Sequence, residues 1–346
     1  MRKTISVGAM AVMAAMPGGL AAQAGPDPVE VGGVIYAHYR YLLSDETGNG
    51  NNFDVARAYI NVTGSLGHGV AFRITPDIHR TDNESLTYRL KYAYAAYTPS
   101  NSPVTVKLGQ IQTPWVDFEE TLWDFRMQGT IALDRSDYLT SSDLGLGVDG
   151  SWGNGGVSAA AGVYNGEGYG HEPGDKRKDV AGRVSVRLAS TDDDSRTGGL
   201  RVSAFGHYGS PTGGGVRRRA LGMLSYRSKL LTLAGEYAIT RDRADDPLPP
   251  DLPDLATVRG NVITAFGVLR VPDSPVMVIG RVDVIDPDVD AGGDRRTRFI
   301  GGIGYQFSPN LRLLADIDHL AWEGIAPSAE AEAARTQALF QMALTF

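Results

Sequence analysis

The chain has 346 residues, with 33 basic and 40 acidic side chains, a formal net charge of −7, 42% hydrophobic residues and no cysteine. This composition excludes a bundle of membrane-spanning helices, which needs several apolar runs of about 20 residues. The acidic balance argues against a nucleic-acid partner. The lack of cysteine excludes disulfide frameworks, thiolate metal sites and cysteine nucleophiles.

The first 24 residues predict a signal peptide. Arg2 and Lys3 precede an apolar stretch that ends at Leu20, and a cleavage sequence of the A-x-A type follows at 22–24. Cleavage before Gly25 leaves residues 25–346 as the mature chain. A single membrane anchor is the alternative, although the stretch is short for one and is broken by proline and glycine.

Apolar and polar residues alternate along most of the mature chain, as they do in β-strands. In the segment 69–80, for example, Val70, Phe72 and Ile74 share one face and Arg73 lies on the other. Each strand of this kind has one apolar wall and one polar wall.

About sixteen such segments are predicted, together with one short helical stretch at 327–335. Some neighbours are joined by tight turns and others by long polar connections, which is the pattern of an outer-membrane β-barrel. The segments span residues 30–43, 54–66, 69–80, 86–98, 103–111, 142–152, 155–164, 178–189, 198–209, 217–228, 230–241, 259–271, 275–286, 296–307, 310–320 and 335–346.

A secreted β-sandwich also has alternating strands, but it has no room for a continuous charged face. A barrel of about sixteen strands instead encloses an aqueous channel. The predicted fold is therefore all-β, a closed antiparallel transmembrane β-barrel of 16–18 strands over residues 25–346. The segment 112–140 is too long for an ordinary hairpin loop, and we expect it to fold into the lumen as a constriction loop.

The last strand carries a pattern of its own. Its apolar residues alternate with polar or small ones up to the final residue, and they are Phe340, Met342, Leu344 and Phe346. A terminal phenylalanine on such a strand resembles the recognition signal of the bacterial barrel assembly machinery. That machinery is therefore an expected partner.

Five motifs, in order along the chain, point to one family. They are the segments 53–58 and 104–110, Thr113-Pro114-Trp115, Asp134-Arg135-Ser136 and Tyr164-Asn165-Gly166. Their sequences and order resemble an early strand, the entry and closing of the constriction loop and a middle strand of the phosphate-selective porins (porin O/P type) of Gram-negative bacteria. The resemblance implies a homotrimeric channel of the outer membrane, passive transport, and a basic pore with an anion or phosphate preference.

The constriction departs from the family pattern. The resemblance implies lysines there, but residues 112–139 contain none. The charged residues of this segment are instead Asp117, Glu119, Glu120, Asp124, Asp134 and Asp137 with Arg126 and Arg135. This difference argues for a general passive channel and against strict phosphate selectivity.

Every second residue of each strand belongs to its polar face, which we call the polar parity, and this face carries more basic than acidic side chains. The pore-lining basic candidates are Arg57, Arg73, Arg89, Lys91, Lys107, Arg183, Arg281 and Arg312. If the acidic loop faces this basic wall, a transverse field crosses the narrowest point and favours small polar solutes or ions, so that charge and pore dimensions decide selectivity. Neutralisation of neighbouring acids is the alternative role of these arginines.

Aromatic residues on the apolar parity fit the interfacial girdles of a membrane barrel. The predicted lipid-facing set is Tyr88, Tyr92, Tyr94, Trp152, Tyr226, Tyr237 and Tyr305. Three further tyrosines, Tyr36, Tyr59 and Tyr97, are predicted to point into the lumen.

Two other functions compete with the channel. A barrel enzyme of the outer membrane needs a Ser–His pair with an orienting partner, and no histidine lies in a recognisable nucleophile motif. A non-conducting structural anchor or adhesin remains the other alternative. The spaced acids of 286–294 lack the glycine and the closing glutamate of a calcium loop. We therefore expect no catalytic residue, metal or cofactor, and outer-membrane lipids and small polar solutes or anions as partners.

Overall fold

The computed structural model describes residues 28–346 except 49, 81–84, 173, 213, 244–256, 325 and 327, so the predicted signal peptide lies outside the described residues. The described residues form sixteen strands: β1 (Glu30–Leu42), β2 (Asn51–Gly67), β3 (Val70–Arg80), β4 (Leu86–Tyr97), β5 (Val104–Gln112), β6 (Ser142–Trp152), β7 (Val157–Tyr164), β8 (Asp179–Ala189), β9 (Gly199–Gly209), β10 (Arg217–Arg227), β11 (Leu231–Arg243), β12 (Thr257–Arg270), β13 (Val276–Asp286), β14 (Arg296–Ser308), β15 (Leu311–Trp322) and β16 (Thr336–Thr345).

The strands form one closed barrel. Each strand pairs with its sequence neighbours, and every pairing is antiparallel. Strands β1 and β16 also pair, with Val34 opposite Thr345 and Leu42 opposite Gln337, and this pairing removes both sheet edges. The predicted closed antiparallel barrel of about sixteen strands is confirmed.

The two ends of the barrel differ in the length of their connections. At one end the turns are short, and His68 and Asn154 occupy left-handed backbone conformations with φ of 53° and 51° within two of them. The other end carries the long connections, among them 113–141, 165–178 and 323–335. Membrane barrels place short turns on the periplasmic side and long loops outside the cell, so the long connections are the extracellular ones.

Apolar side chains on the outer face of the barrel stay exposed because lipid, rather than protein, surrounds them. Leu108, Ile303 and Phe340 are examples. The predicted girdle residues Tyr88, Trp152, Tyr226, Tyr237 and Tyr305 are also exposed on this face.

The predicted parity is wrong for part of β4. The pairing of β3 with β4 shifts between Thr75, which lies opposite Tyr92, and Pro76, which lies opposite Leu90, so one extra residue is inserted in β4. Such a bulge reverses the alternation beyond it. Tyr92 is buried on the lumen side and Tyr94 packs against the interior cluster, whereas Tyr97 is exposed outside.

Three short helices lie in the connections: α1 (Val116–Glu120) and α2 (Ala132–Arg135) between β5 and β6, and α3 (Ala329–Ala333) between β15 and β16, the last within the predicted helical stretch. Helices α1 and α2 belong to the connection of β5 with β6, residues 113–141, which we call the inward loop. Among the described residues no helix is long and apolar enough to cross a membrane.

Candidate channel constriction

The inward loop packs against the inner face of the barrel wall. Its large apolar side chains, Trp115, Leu122, Trp123, Phe125, Ile131 and Leu133, have no solvent exposure. They pack on the barrel wall: the ring centroids of Trp115 and Phe205 of β9 lie 5.8 Å apart, and those of Trp123 and Phe266 of β12 lie 5.4 Å apart. The contact buries apolar area on both sides and attaches the loop to the wall from β8 to β15.

Arginines of this wall hold the backbone of the inward loop. Arg183 donates to the carbonyl of Pro114 at 2.9 Å, and Arg281 donates to the carbonyl of Thr130 at 3.0 Å. Arg312 donates to the carbonyl of Asp124 at 2.7 Å. These three predicted pore-lining residues therefore lie behind or beneath the loop, where they fasten it to the barrel.

Two of the predicted constriction acids face the wall behind the loop rather than the basic wall across the channel. Glu119 is buried, and its carboxylate and that of Glu236 on β11 both accept the indole N–H of Trp115, at 2.8 and 3.1 Å. Burial raises the pKa of Glu119 to about 7. Asp124 accepts hydrogen bonds from Arg227, at 3.0 Å, and from Arg270.

Two further acids of the loop are also paired. Asp117 accepts Arg196 of the β8–β9 connection at 2.9 Å, which ties the loop to the short-turn end of the barrel. Glu120 and Arg126 form an ion pair at 2.5 Å within the loop. The sequence predicts an acidic loop that faces the basic wall. Asp117, Glu119, Glu120 and Asp124 instead have hydrogen-bond or ion-pair partners of their own, so most of the loop acid is not free to face that wall.

The open half of the lumen lies between the inward loop and the wall of β16 and β1–β5. On β2 and β4, Arg57 and Arg89 share the carboxylate of Asp77, each at 3.0 Å. Arg89 also donates to the hydroxyl of Tyr169, at 2.7 Å, from the β7–β8 connection. Two cations thus share one buried carboxylate, and the group keeps a positive charge.

The other basic residues of this wall contact aromatic rings. Arg73 lies over Tyr92 at 4.4 Å, and the Lys91 ammonium lies 4.8 Å from the ring centroid of Tyr59. Lys107 pairs with Asp149 at 2.5 Å. The five basic residues predicted on β2–β5 are therefore gathered on one side of the lumen, while Arg183, Arg281 and Arg312 are not part of this group.

A cavity of about 330 Å³ separates the loop from the wall of β16, β1 and β2. Its charged lining consists of five arginines and one acid: Arg40, Arg57, Arg126, Arg135, Arg298 and Asp318. Asp318 accepts Arg298 at 2.7 Å and lies 3.8 Å from Arg135. Glu120 and Asp77, which lie outside the lining, pair with Arg126 and Arg57 and offset part of its charge. The cavity keeps a net positive charge because Asp77 and Asp318 are each shared by two arginines and Arg40 donates to the neutral Asn52.

Several contributors to this region do not appear in the predicted site. Tyr169 and Arg196 come from connections, where no alternation marks a direction. Arg40 and Arg298 lie on the polar face of their strands, and this alternation does predict that both point inward. Arg135 was assigned to the loop, but its place beside Asp318 depends on the three-dimensional fold of the loop.

The C-terminal residues lie at the closure of the barrel. Phe340 is exposed on the outer face, and Phe346 exchanges two backbone hydrogen bonds with Gly33 of β1, at 2.8 and 3.1 Å.

No group of three or more potential metal ligands occurs within the described part of the chain. Asp286 pairs with Arg295 at 3.1 Å instead.

The chain is similar to solved structures of outer-membrane proteins, porins among them. They include the anion-selective porin from Comamonas acidovorans (13% identity, 93% of this chain and 100% of that one, TM-score 0.64) and OmpF of Salmonella typhi in complex with daunomycin (12%, 92% and 97%, 0.67). The trimer form of OmpT of Vibrio cholerae is also similar (13%, 93% and 100%, 0.58). At these identities the likeness shows the fold alone, and no curated protein matches the chain.

Residues 29–203, about half of the chain, match the sequence model of the family described as phosphate-selective porin O and P. The match begins just before β1 and ends within β9, so it includes the inward loop and the basic wall of β2–β5. The barrel, its inward loop and this match agree on an outer-membrane channel. The chain belongs to the phosphate-selective porin O and P family.

Proposed function

We propose that the protein is a passive channel for small anions, and that solutes pass between the inward loop and the wall of β16 and β1–β5. The observation that carries the proposal is the net positive charge of the cavity, whose lining has five arginines and one carboxylate and whose charge Glu120 and Asp77 offset only in part. Field lines focus in a low-dielectric cleft of one sign, so anions concentrate there and cations are repelled. Phosphate is among the anions that guanidinium groups bind well.

The inward loop acts in this proposal as a constriction of fixed shape. Four of its six acids, Asp117, Glu119, Glu120 and Asp124, have hydrogen-bond or ion-pair partners, so its contribution to selectivity is mainly steric, and the charge comes from the open wall. This differs from a transverse field between an acidic loop and a basic wall. If the basic wall produces the anion preference, the channel should conduct chloride as well as phosphate, and no catalytic step is involved.

Conductance across planar bilayers tests the proposal. With a KCl gradient, we expect single-channel opening steps. The reversal potential should have the sign of the chloride equilibrium potential, as it does when chloride is the more permeant ion. Arg57→Gln combined with Arg298→Gln removes two cavity cations and is expected to reduce the anion preference. The control Arg177→Gln removes a cation of an exposed extracellular ion pair, Arg177–Asp175 at 2.6 Å, and is expected to leave it unchanged.

Cation selectivity of the native channel would refute the anion channel, and a lack of conductance steps would favour the anchor or adhesin. A phosphate preference that persists in excess chloride would restore strict phosphate selectivity.

We further propose that residues 1–24 are removed as a signal peptide, that the barrel assembles as a homotrimer, and that the assembly machinery recognises the strand ending at Phe346. The support is the sequence pattern of each terminus and the similarity to a porin whose structure is described as a trimer form. N-terminal sequencing of the membrane-extracted protein and chemical cross-linking test the first two. Assembly yield in cells after removal of Phe346 tests the third.

A further inference from the structure

Three arginines lie side by side on the outside of the barrel. Arg218 of β10 is directly opposite Arg241 of β11, and Arg241 is directly opposite Arg259 of β12. All three side chains are exposed. We call them the arginine row.

The row faces outward and not into the channel. Along β10 and β11 the neighbours of the row point inward: Arg219 is buried and pairs with Asp242 at 2.7 Å, and Thr240 is buried. Because successive side chains of a strand point to opposite faces, Arg218 and Arg241 lie on the lipid side. The row is therefore separate from the cavity and from the inward loop.

The row also lies at the extracellular rim of the apolar band. Below it on the outer face, Leu224, Tyr237 and Ile263 are exposed on the same three strands. Leu231 and Arg241 are ten positions apart on β11, which is about 25 Å of height for a strand tilted by roughly 40°. That height equals the apolar band of a membrane barrel, so the row reaches the level of the outer-leaflet headgroups.

Within the described residues the row has few acidic neighbours. Among the described residues, only Asp290 approaches it as an acid, 3.7 Å from Arg259, and that pair is largely exposed. Arg218 contacts Tyr208 of β9, with the guanidinium 4.7 Å from the ring centroid. Like charges in directly opposed cross-strand positions destabilise a sheet. An anion bound across the row would therefore offset the repulsion between these guanidinium groups.

We propose that the arginine row binds the phosphate groups of a glycolipid in the outer leaflet of the membrane. Guanidinium groups present planar pairs of donors that match phosphate oxygens, and adjacent guanidiniums can share one dianionic group. The apolar surface directly below the row supplies contact for acyl chains. Tyr208 beside the row places an amphipathic ring at the same interface.

The glycolipid is favoured over free phosphate as the source of the anion because of the position of the row. The headgroup phosphates of a leaflet are held at the height of the row, and the acyl chains add apolar contact that free phosphate cannot make. A solute on its way through the channel does not pass this face.

The test compares the mature protein with the triple variant Arg218→Gln, Arg241→Gln, Arg259→Gln. Both are folded into phosphatidylcholine vesicles with and without one-tenth bisphosphorylated lipid A, and the temperature at which the barrel loses its compact electrophoretic mobility is measured. We expect lipid A to raise this temperature in the native protein by several degrees and in the triple variant by little. Lys229→Gln with Arg335→Gln is the control, since these cations lie away from the row, and it should keep the full rise.

Three outcomes would overturn the proposal. The first is an equal rise in the triple variant, and the second is an equal rise with lipid A that lacks its phosphates. The third is the same rise with inorganic phosphate in plain vesicles, which would assign the row to free phosphate. Native channel conductance of the triple variant shows that it is folded. If it does not fold, Arg241→Gln, which removes the central member, replaces it in the same comparison.

Discussion

Glu119 of the inward loop and Glu236 of β11 accept hydrogen bonds from one and the same donor, the indole N–H of Trp115, at 2.8 and 3.1 Å. Both carboxyl groups are buried between the loop and the barrel wall. Two carboxylates that share one site cannot both ionise without a large cost. A proton on this pair of carboxyl groups therefore helps to hold the loop against the wall.

This attachment makes the position of the loop pH-dependent. Burial raises the pKa of Glu119 from its ordinary value of 4.5 to about 7. Between these two values the docked loop keeps a proton that the undocked, solvated glutamate has lost, so docking weakens as the pH rises from about 4.5 to 7. We expect larger current fluctuations of single channels at pH 8 than at pH 5.

Glu236→Gln is the informative variant for this effect. A glutamine keeps the volume and a hydrogen-bonding group beside Trp115 but removes one of the two acids. The pH dependence of the fluctuations should then shrink. Glu332→Gln on α3, whose partner is the exposed Arg335, should retain the native pH dependence, and an equal dependence in all three proteins would exclude the Glu119–Glu236 pair as its source.

Arg281 is expected to be the wall residue most important for holding the loop. Its side chain is 1% exposed, donates to Asp283 at 2.8 Å and to the carbonyl of Thr130 at 3.0 Å, and lies over Trp123. Arg281→Met keeps much of the volume and leaves Asp283 buried without its cation. Breaking a buried ion pair in this way costs about 3–5 kcal/mol, and the midpoint of urea unfolding in vesicles measures it.

The double variant Arg281→Met, Asp283→Asn separates the two contributions. It removes the uncompensated charge, so a part of the lost stability should return, while the bond to Thr130 stays absent. If the double variant is as unstable as the single one, the ion pair is not the source of the loss. Arg177→Gln, in an exposed pair, serves as the control with little expected change.

The shared carboxylate of Asp77 predicts non-additive effects on selectivity. Arg57→Gln alone leaves Arg89 paired with Asp77, and Arg89→Gln alone leaves Arg57. The double variant leaves the buried carboxylate unpaired in the channel wall, so its loss of anion selectivity should exceed the sum of the single losses. Asp77→Asn should shift the reversal potential in the opposite direction. Additive losses measured in the same KCl gradient would show that the two arginines act independently of Asp77.

Alternation in the sequence was sufficient to predict the barrel because lipid and water impose opposite demands on the two faces of each strand. Val70, Phe72 and Ile74 face outward because lipid favours apolar side chains, and Arg73 faces the lumen because its charge needs water. The same rule fails after Leu90, where the extra residue in β4 reverses the parity of Tyr92, Tyr94 and Tyr97. A bulge depends on the pairing with the neighbouring strand, and no local pattern of β4 marks it.

The inward loop was predictable in its length and its direction, but not in the orientation of its charges. Glu119 and Glu120 are adjacent in sequence, yet the first packs against β11 and the second pairs with Arg126. Their directions follow from how α1 packs on the wall, which depends on Trp115 and its partners on distant strands. A count of acids in the segment therefore describes its composition and not the surface that it presents to the channel.

The closure of the barrel depends on a close approach of Gly33 to Phe346. A Cβ atom at Gly33 would lie 2.5 Å from the Phe346 ring and 2.6 Å from the carbonyl oxygen of Tyr59. Gly33→Val is therefore expected to push the last residue away from β1 and to break the two backbone bonds between Gly33 and Phe346. We expect a lower yield of heat-modifiable, folded barrel after refolding into detergent. Gly280→Val is the matched control, because a Cβ there meets nothing within 4 Å. Equal yields for the two variants would show that this contact does not limit closure, whereas recovery of the Gly33→Val yield by Phe346→Ala would locate the clash at the ring.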